Sequence, residues 1–207
     1  MAAISVAKTL RIDDAIIRRG LISFPGVIGR MEEIKKYRPN FRVFIDFAHK
    51  PNALESVLAA AKKLNKGRII VMFGAAGLRD VTKRPLMGEI AGKLADITIL
   101  TAEDPRTESL NKIINQIARG AKKAGATEFS ILNFKFSIDS EIKKHYFIKI
   151  PDRRKAIRFA ICKLAKKGDV LLFCGKGHEQ SMCFGTTEYP WSEKDEIIKA
   201  LDKRYGK

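Results

Sequence analysis

The sequence predicts an α/β fold, with a mostly parallel sheet and helices on both faces. Two observations carry this. From residue 41 onward, short runs rich in β-branched and aromatic residues alternate with helix-like stretches of ordinary length. Strands separated by such helices are joined by right-handed crossovers, which makes them parallel. A third observation concerns function. Polar clusters follow four of the strand-like runs, at the carboxyl ends where such sheets hold ligands.

The elements follow in order. Met1 to Leu10 and Asp13 to Arg19 suggest two short helices, the second ended by Gly20, and Phe24 to Glu32 is loop-like, with Gly and Pro. Two helices this short cannot bury their apolar faces alone and need a neighbour. Phe41 to Asp46 is the first strand, and Pro51 to Asn65 the helix after it. Arg68 to Phe73 is a strand, and the next helix, Pro85 to Leu94, starts on a proline suited to a first turn. Ile97 to Thr101 is a strand, and Leu110 to Ala124 a helix closing on Gly125. Residues 127–144 admit either a hairpin strand (Glu128 to Phe134) or a long loop. Tyr146 to Ile150 and Asp169 to Cys174 are strands flanking a helix from Arg153 to Lys167, with Gly168 as its C-cap. Ser192 caps a final helix to Tyr205, with Asp195 three residues on. The plan is Rossmann-like. Residues 1–38 form a separate leading segment, and 39–207 the sheet domain.

Composition bounds the chemistry. The 207 residues hold 45% apolar side chains, and no apolar run approaches the ~18–20 residues of a membrane span. No charged region followed by an apolar stretch and cleavage site marks a secretory signal. Three cysteines without a CxxC pair argue against disulfides or zinc, so no metal site is assigned and a reducing cytoplasm fits. The net charge is +17, and Glu141 to Lys167 carries ten Lys/Arg against two acids. Such an excess favours anionic partners, and the alternative for the local run is a solvated helix face. Nucleic acid is not expected, because aromatics are only 8% and lie mostly in strand-like runs rather than among the basic residues.

Six segments then occur in order: GVIGRME (26–32), IDFAHKPNALE (45–55), FGAAGLRDVTKRPLMGEIA (73–91), TAEDPRTE (101–108), PDRRKAI (151–157) and GDVLLFCGKGHEQ (168–180). Together they resemble the C-terminal domain of Mur ligases, in particular of members that add the third residue of the peptidoglycan peptide. The resemblance covers nearly the whole chain and is weak only at 127–147. It implies ATP-dependent amide formation with Mg²⁺. ATP activates a D-glutamyl carboxylate of UDP-N-acetylmuramoyl-L-Ala-D-Glu as an acyl phosphate, and the amine of a diamino acid attacks it. It also implies two further domains, for the UDP-sugar and for the ATPase phosphate loop. No GxxxxGK[ST] occurs in this sequence: Gly92-Lys93 is followed by Leu94 and Gly175-Lys176 by Gly177. The expectation is therefore a chain that lacks those domains, with residues 1–38 a remnant of central-domain helices and linker, and that is inactive alone.

Site residues follow from matching motifs. Arg30 resembles the linker arginine that reaches the nucleotide. Asp46 ends a strand, where a carboxylate can accept both ribose hydroxyls; the alternative is a cap for the Pro51 helix. His49 lies in the family's Asp-Tyr-Ala-His pattern, here with Phe47. Arg79 stands where the family has Gly-Asp-Arg-Asp and can hold a carboxylate in two bonds; Lys83 and Arg84 beside it also fit a plain basic loop. Enzymes of the family that use meso-diaminopimelate carry Asp-Asn-Pro-Arg where this chain has Glu103-Asp104-Pro105-Arg106. The resemblance makes Arg106 the clamp for the distal carboxylate. Asp104 becomes an acceptor for an ammonium, and an anion there would repel a carboxylate brought too close. Gly175 and Glu179 of GKGHE complete the amino-acid site, with Glu179 accepting the distal ammonium. Arg153 is read as an exposed cation. No residue is assigned to catalysis. Diaminopimelate is favoured, with lysine or another diamino acid next. A non-catalytic Rossmann-like module holding a nucleotide or amino acid is the competing reading.

Overall fold

The parallel strands line up in the order that lets one loop cluster form. The structure, a computed structural model, describes residues 2–37, 39–64, 67–130 and 145–206. Its strands are β1 (Glu32–Glu33), β2 (Arg42–Asp46), β3 (Ile69–Phe73), β4 (Ile97–Leu100), β5 (Thr127–Glu128), β6 (Tyr146–Lys149), β7 (Val170–Cys174), β8 (Ser181–Phe184) and β9 (Thr187–Pro190). The main sheet runs β1-β2-β7-β3-β4-β6-β5, parallel except for β1, and β8-β9 form a separate hairpin. The helices are α1 (Ala2–Thr9), α2 (Asp14–Ser23), α3 (Pro51–Leu64), α4 (Lys83–Leu94), α5 (Leu110–Lys123), α6 (Arg153–Phe159) and α7 (Glu193–Tyr205).

Side chains alternate across the sheet with period two. Phe44, Val71, Phe73, Leu172 and Cys174 pack under α3, α4 and α5. Val43, Ile45, Ile70, Met72, Leu171 and Phe173 face α6 and α7. The chain steps outward from β2 with its helices on the first face. After β6 it turns back through α6 on the second face and inserts β7 between β2 and β3. Right-handed crossovers demand this change of face when the direction reverses. The loop after β7 thus emerges between the loops after β2 and β3.

The strand and helix expectations agree with these elements to within a few residues, with four corrections and one further unexpected strand, β1, which opens at Glu32, the end of the segment expected as loop. Helix α2 runs through Gly20 to Ser23. It stops because Phe24 precedes Pro25 and is extended (φ −70°, ψ 118°). Helix α4 begins at Lys83, so Pro85 is its third residue; the first turn has no intrahelical N–H partners, and a proline costs nothing there. Helix α6 widens to π-helical spacing over Ala160–Leu164 and ends before Gly168. Gly168 (φ +87°) instead forms the turn into β7, donating its N–H to Asn40 O at 2.8 Å. The hairpin β8-β9 was not expected; its two-residue turn opens on Gly185 (φ +62°), the kind of residue such turns need. Gly125 and Ser192 take their expected capping places. The short β5 pairs with β6, and the rest of the 127–144 expectation lies outside the described residues. No residue of α1 or α2 is buried.

Candidate functional site

A cleft of about 880 Å³ opens over the carboxyl ends of β2, β3, β4 and β7. His49, Arg79, Asp104, Arg106 and Glu179 line it, five of the eight residues expected from sequence. Lys83 and Glu103 line it too.

The loop after β4 supplies the charged wall. Arg106 has a left-handed backbone (φ +51°), a conformation disfavoured for arginine. The hairpin holds it there: Arg106 N–H donates to Cys183 O at 3.1 Å, and Gly185 N–H donates to Arg106 O at 2.9 Å. Its buried Nε has no partner, and no carboxylate pairs with its guanidinium among the described residues. Glu103 is 6% exposed, and its Oε2 also lacks a partner. Burial pushes its carboxyl above the usual range, against the pull of Lys83 and Arg153. Gly175 (φ +104°) permits this packing, since a Cβ there would lie 2.9 Å from Glu103 Oε2.

Asp104 differs from the expectation of an acceptor free for a ligand. Lys176 Nζ donates to its Oδ1 at 2.9 Å and its Oδ2 at 3.1 Å, and Cys183 N–H donates to Oδ1 at 3.0 Å. The same ammonium reaches Glu179 Oε2 at 2.8 Å. The ammonium that Asp104 meets is the chain's own. No local signal in the sequence marks Lys176, because its Asp104 partner lies 72 residues away.

The expected nucleotide residues lie beside this wall. Asp46 accepts Met31 N–H on Oδ2 and Ala48 N–H on Oδ1, both at 2.8 Å. It is therefore not the cap of α3; it fastens the 29–31 turn to the sheet, with a lone pair left on each oxygen. Arg30 is exposed and lies over the Phe47 ring, 4.6 Å from the centroid. Phe47 in turn meets His49 (4.6 Å between centroids) and His178 (5.1 Å). His49 Nδ1 pairs with Phe47 O at 2.8 Å, and Lys83 Nζ donates to His49 O at 2.8 Å. Gly29 is close against the 177–178 backbone, where a Cβ would sit 2.4 Å from His178 N.

Two arginines have other places than expected. Arg84 is fully buried and donates to both Glu108 oxygens (2.6 and 2.7 Å), to Gln116 Oε1 (2.6 Å) and to Ala76 O (3.0 Å). Its hydrogen bonds hold the Glu108 carboxyl down at about 2. Arg153, expected exposed, is 2% exposed. It donates to both oxygens of Glu193 (2.6 and 2.9 Å), to Ala102 O (2.9 Å) and to Cys174 O (2.8 Å). It ties the ends of β4 and β7 together beneath the cleft.

A family model described as the Mur ligase glutamate ligase domain matches residues 29–177. The UDP-N-acetylmuramyl-tripeptide synthetase of Roseiflexus sp. (strain RS-1) is 41% identical over 201 residues, 97% of this chain and 36% of its own length. A UDP-N-acetylmuramoyl-L-alanyl-D-glutamate–2,6-diaminopimelate ligase, from Caldanaerobacter subterraneus subsp. tengcongensis, is 41% identical over 97% of this chain and 37% of its own length. The solved structure of a ligase with the same name matches with a TM-score of 0.70 and 29% identity, covering 99% of this chain and 37% of that one. The chain thus spans about a third of the length of the curated relatives it matches.

Proposed function

This chain belongs to the Mur ligase family, through that family's glutamate ligase domain, and from this premise we propose that its cleft holds the incoming diamino acid, by preference meso-diaminopimelate, during peptidoglycan precursor synthesis. The acceptor would be UDP-N-acetylmuramoyl-L-Ala-D-Glu. The observation that carries this is the pairing of unlike charges on one wall. Arg106 offers a guanidinium with no carboxylate of its own, and Glu179 offers a carboxylate that is 37% exposed. An amino-acid end carries the complementary pair. Arg79, also on the cleft, can take a second carboxylate.

ATP with Mg²⁺ supplies the phosphoryl group that activates the acceptor carboxylate in this family. Arg30 on Phe47, His49 and the remaining lone pairs of Asp46 are the groups here that suit a nucleoside. We infer that magnesium and the phosphates are held by the part of the family's enzymes that this chain does not span. The chain's share of the work is to bind the amino acid, orient its amine and close over the nucleotide; proximity of this kind is a large part of such catalysis. By itself it would bind without turnover.

Titration calorimetry of the chain with meso-diaminopimelate and with L-lysine tests the reading. Arg106→Ala should weaken diaminopimelate by about 10–100-fold, the loss of a charge-assisted pair, and leave lysine nearly unchanged. Equal losses for both amino acids would make Arg106 a structural or general anion residue.

A further inference from the structure

We propose that Lys176 sets the substrate preference of this cleft by fixing the charge of the wall that meets the distal end of the amino acid. The inference rests on the amino-acid reading of the cleft given above.

Lys176 is 1% exposed, yet its ammonium is fully satisfied. Its three N–H groups have three acceptors: Asp104 Oδ1, Asp104 Oδ2 and Glu179 Oε2. It comes from the loop after β7, and Asp104 from the loop after β4. Cys183 N–H of the hairpin also reaches Asp104. One buried cation therefore joins three segments of the site.

The electrostatic consequence is a count over Lys176, Asp104 and Glu179 alone; Glu103 and Arg106, which line the same cleft, are the same residues in every variant below. Asp104 and Glu179 bring two negative charges, and Lys176 cancels one. The residual charge lies toward Glu179, whose side chain is 37% exposed against 14% for Asp104. A wall with one net negative charge beside Arg106 accepts one ammonium and tolerates a carboxylate next to it. Without Lys176 the wall would carry two negative charges. It would then attract a lone ammonium, as on lysine, and repel the carboxylate that distinguishes diaminopimelate. A unit charge ~6 Å from the ligand, at an effective dielectric of ~20, changes relative affinity by on the order of 10–100-fold.

The test is a charge ladder, read as the ratio of dissociation constants for L-lysine and meso-diaminopimelate, measured by calorimetry on the whole chain. Lys176→Met gives a wall of two negative charges and should move the ratio 10–100-fold toward lysine. Asp104→Asn leaves the wall neutral and should move it the other way. The double variant Lys176→Met/Asp104→Asn restores a single negative charge and should return the ratio to within about threefold of the parent. That rescue separates a charge role from a merely structural one, which the double variant would not repair. It also serves where Lys176→Met alone fails to fold, since the neutral pair leaves no uncompensated buried charge. Ratios that ignore the order of charge, with diaminopimelate still bound by the parent, overturn this inference alone. A parent chain that binds neither amino acid overturns the amino-acid reading of the cleft and the inference with it.

Discussion

Replacing Arg153 by methionine should cost far more than replacing Arg154, its neighbour in sequence. Methionine keeps the length and the packing of the stem. What it removes is a guanidinium making four hydrogen bonds in a site where both Arg153 and Glu193 are 1% exposed or less at the side chain. Glu193 would be left as a buried charge with only Trp191 Nε1 donating to it, at 2.9 Å. The carbonyls of Ala102 and Cys174 would each lose a donor. Breaking one side of a buried pair costs roughly 3–5 kcal/mol. For a chain of this size that is a fall of roughly 6–20 °C in Tm. Arg154 has the same chemistry but is 55% exposed in its pair with Glu196, so Arg154→Met should cost under ~1 kcal/mol.

Urea unfolding followed by fluorescence suits the measurement, because Trp191 is the one tryptophan and touches Glu193 itself. Glu193→Gln should be costly too, leaving Arg153 buried against a neutral amide. The double variant should lose less than the two singles together, by about 1–3 kcal/mol. Equal losses for Arg153→Met and Arg154→Met would refute the account, as would strict additivity with Glu193→Gln.

Acid unfolding should reflect Glu108. Its carboxyl lies near 2 when folded against an ordinary 4.5, because Arg84 binds it. A depressed carboxyl stabilises the fold above its unfolded value, and that contribution fades as pH falls from about 4.5 toward 2. Glu108→Gln should flatten that part of the stability–pH curve and cost about 1.5–3 kcal/mol at neutral pH, read by urea titration at stepped pH. Gly120→Ala should destabilise by at least ~1–3 kcal/mol in thermal melts, since its Cβ would fall 1.8 Å from Pro85 O at the α4–α5 contact. In hydrogen exchange, Ile4 to Leu10 should lose protection long before Val71, because α1 buries nothing and Val71 is at the centre of the sheet; equal protection would contradict this.

How much of this was legible in the sequence depends on the range of the interactions. The five long parallel strands were readable because each is a short run of β-branched or aromatic residues, and burial on both faces selects such runs. The place of the cleft was readable too, from polar clusters after β2, β3, β4 and β7. The partners of the charges were not. Arg153 and Arg154 are adjacent and identical, yet one is buried under the site and the other is exposed; only the turn of α6 against α7 decides. Lys176 and Asp104 are joined across 72 residues. Gly20 and Gly168 misled for a simpler reason: glycine is permitted to end a helix but does not require it. Here the extended Phe24 before Pro25 and the widened last turn of α6 decided instead.

The basic excess of the chain also takes on a different meaning at the cleft. Parallel strands end with carbonyls that converge beneath the loops, and buried carbonyls need donors. Long cations reach several at once. Lys83 holds His49 O, Arg84 holds Ala76 O, Arg153 holds Ala102 O and Cys174 O, and Lys176 holds Asp104. Each of the four loops that form the cleft is thus tied by a cation that is 9% exposed or less. Loops ordered in advance lose less entropy when a ligand arrives. Among the described residues three buried side-chain atoms have no partner, Arg84 Nε, Glu103 Oε2 and Arg106 Nε, and the last two belong to residues that line the cleft. They are held in place by neighbours that have satisfied their own charges.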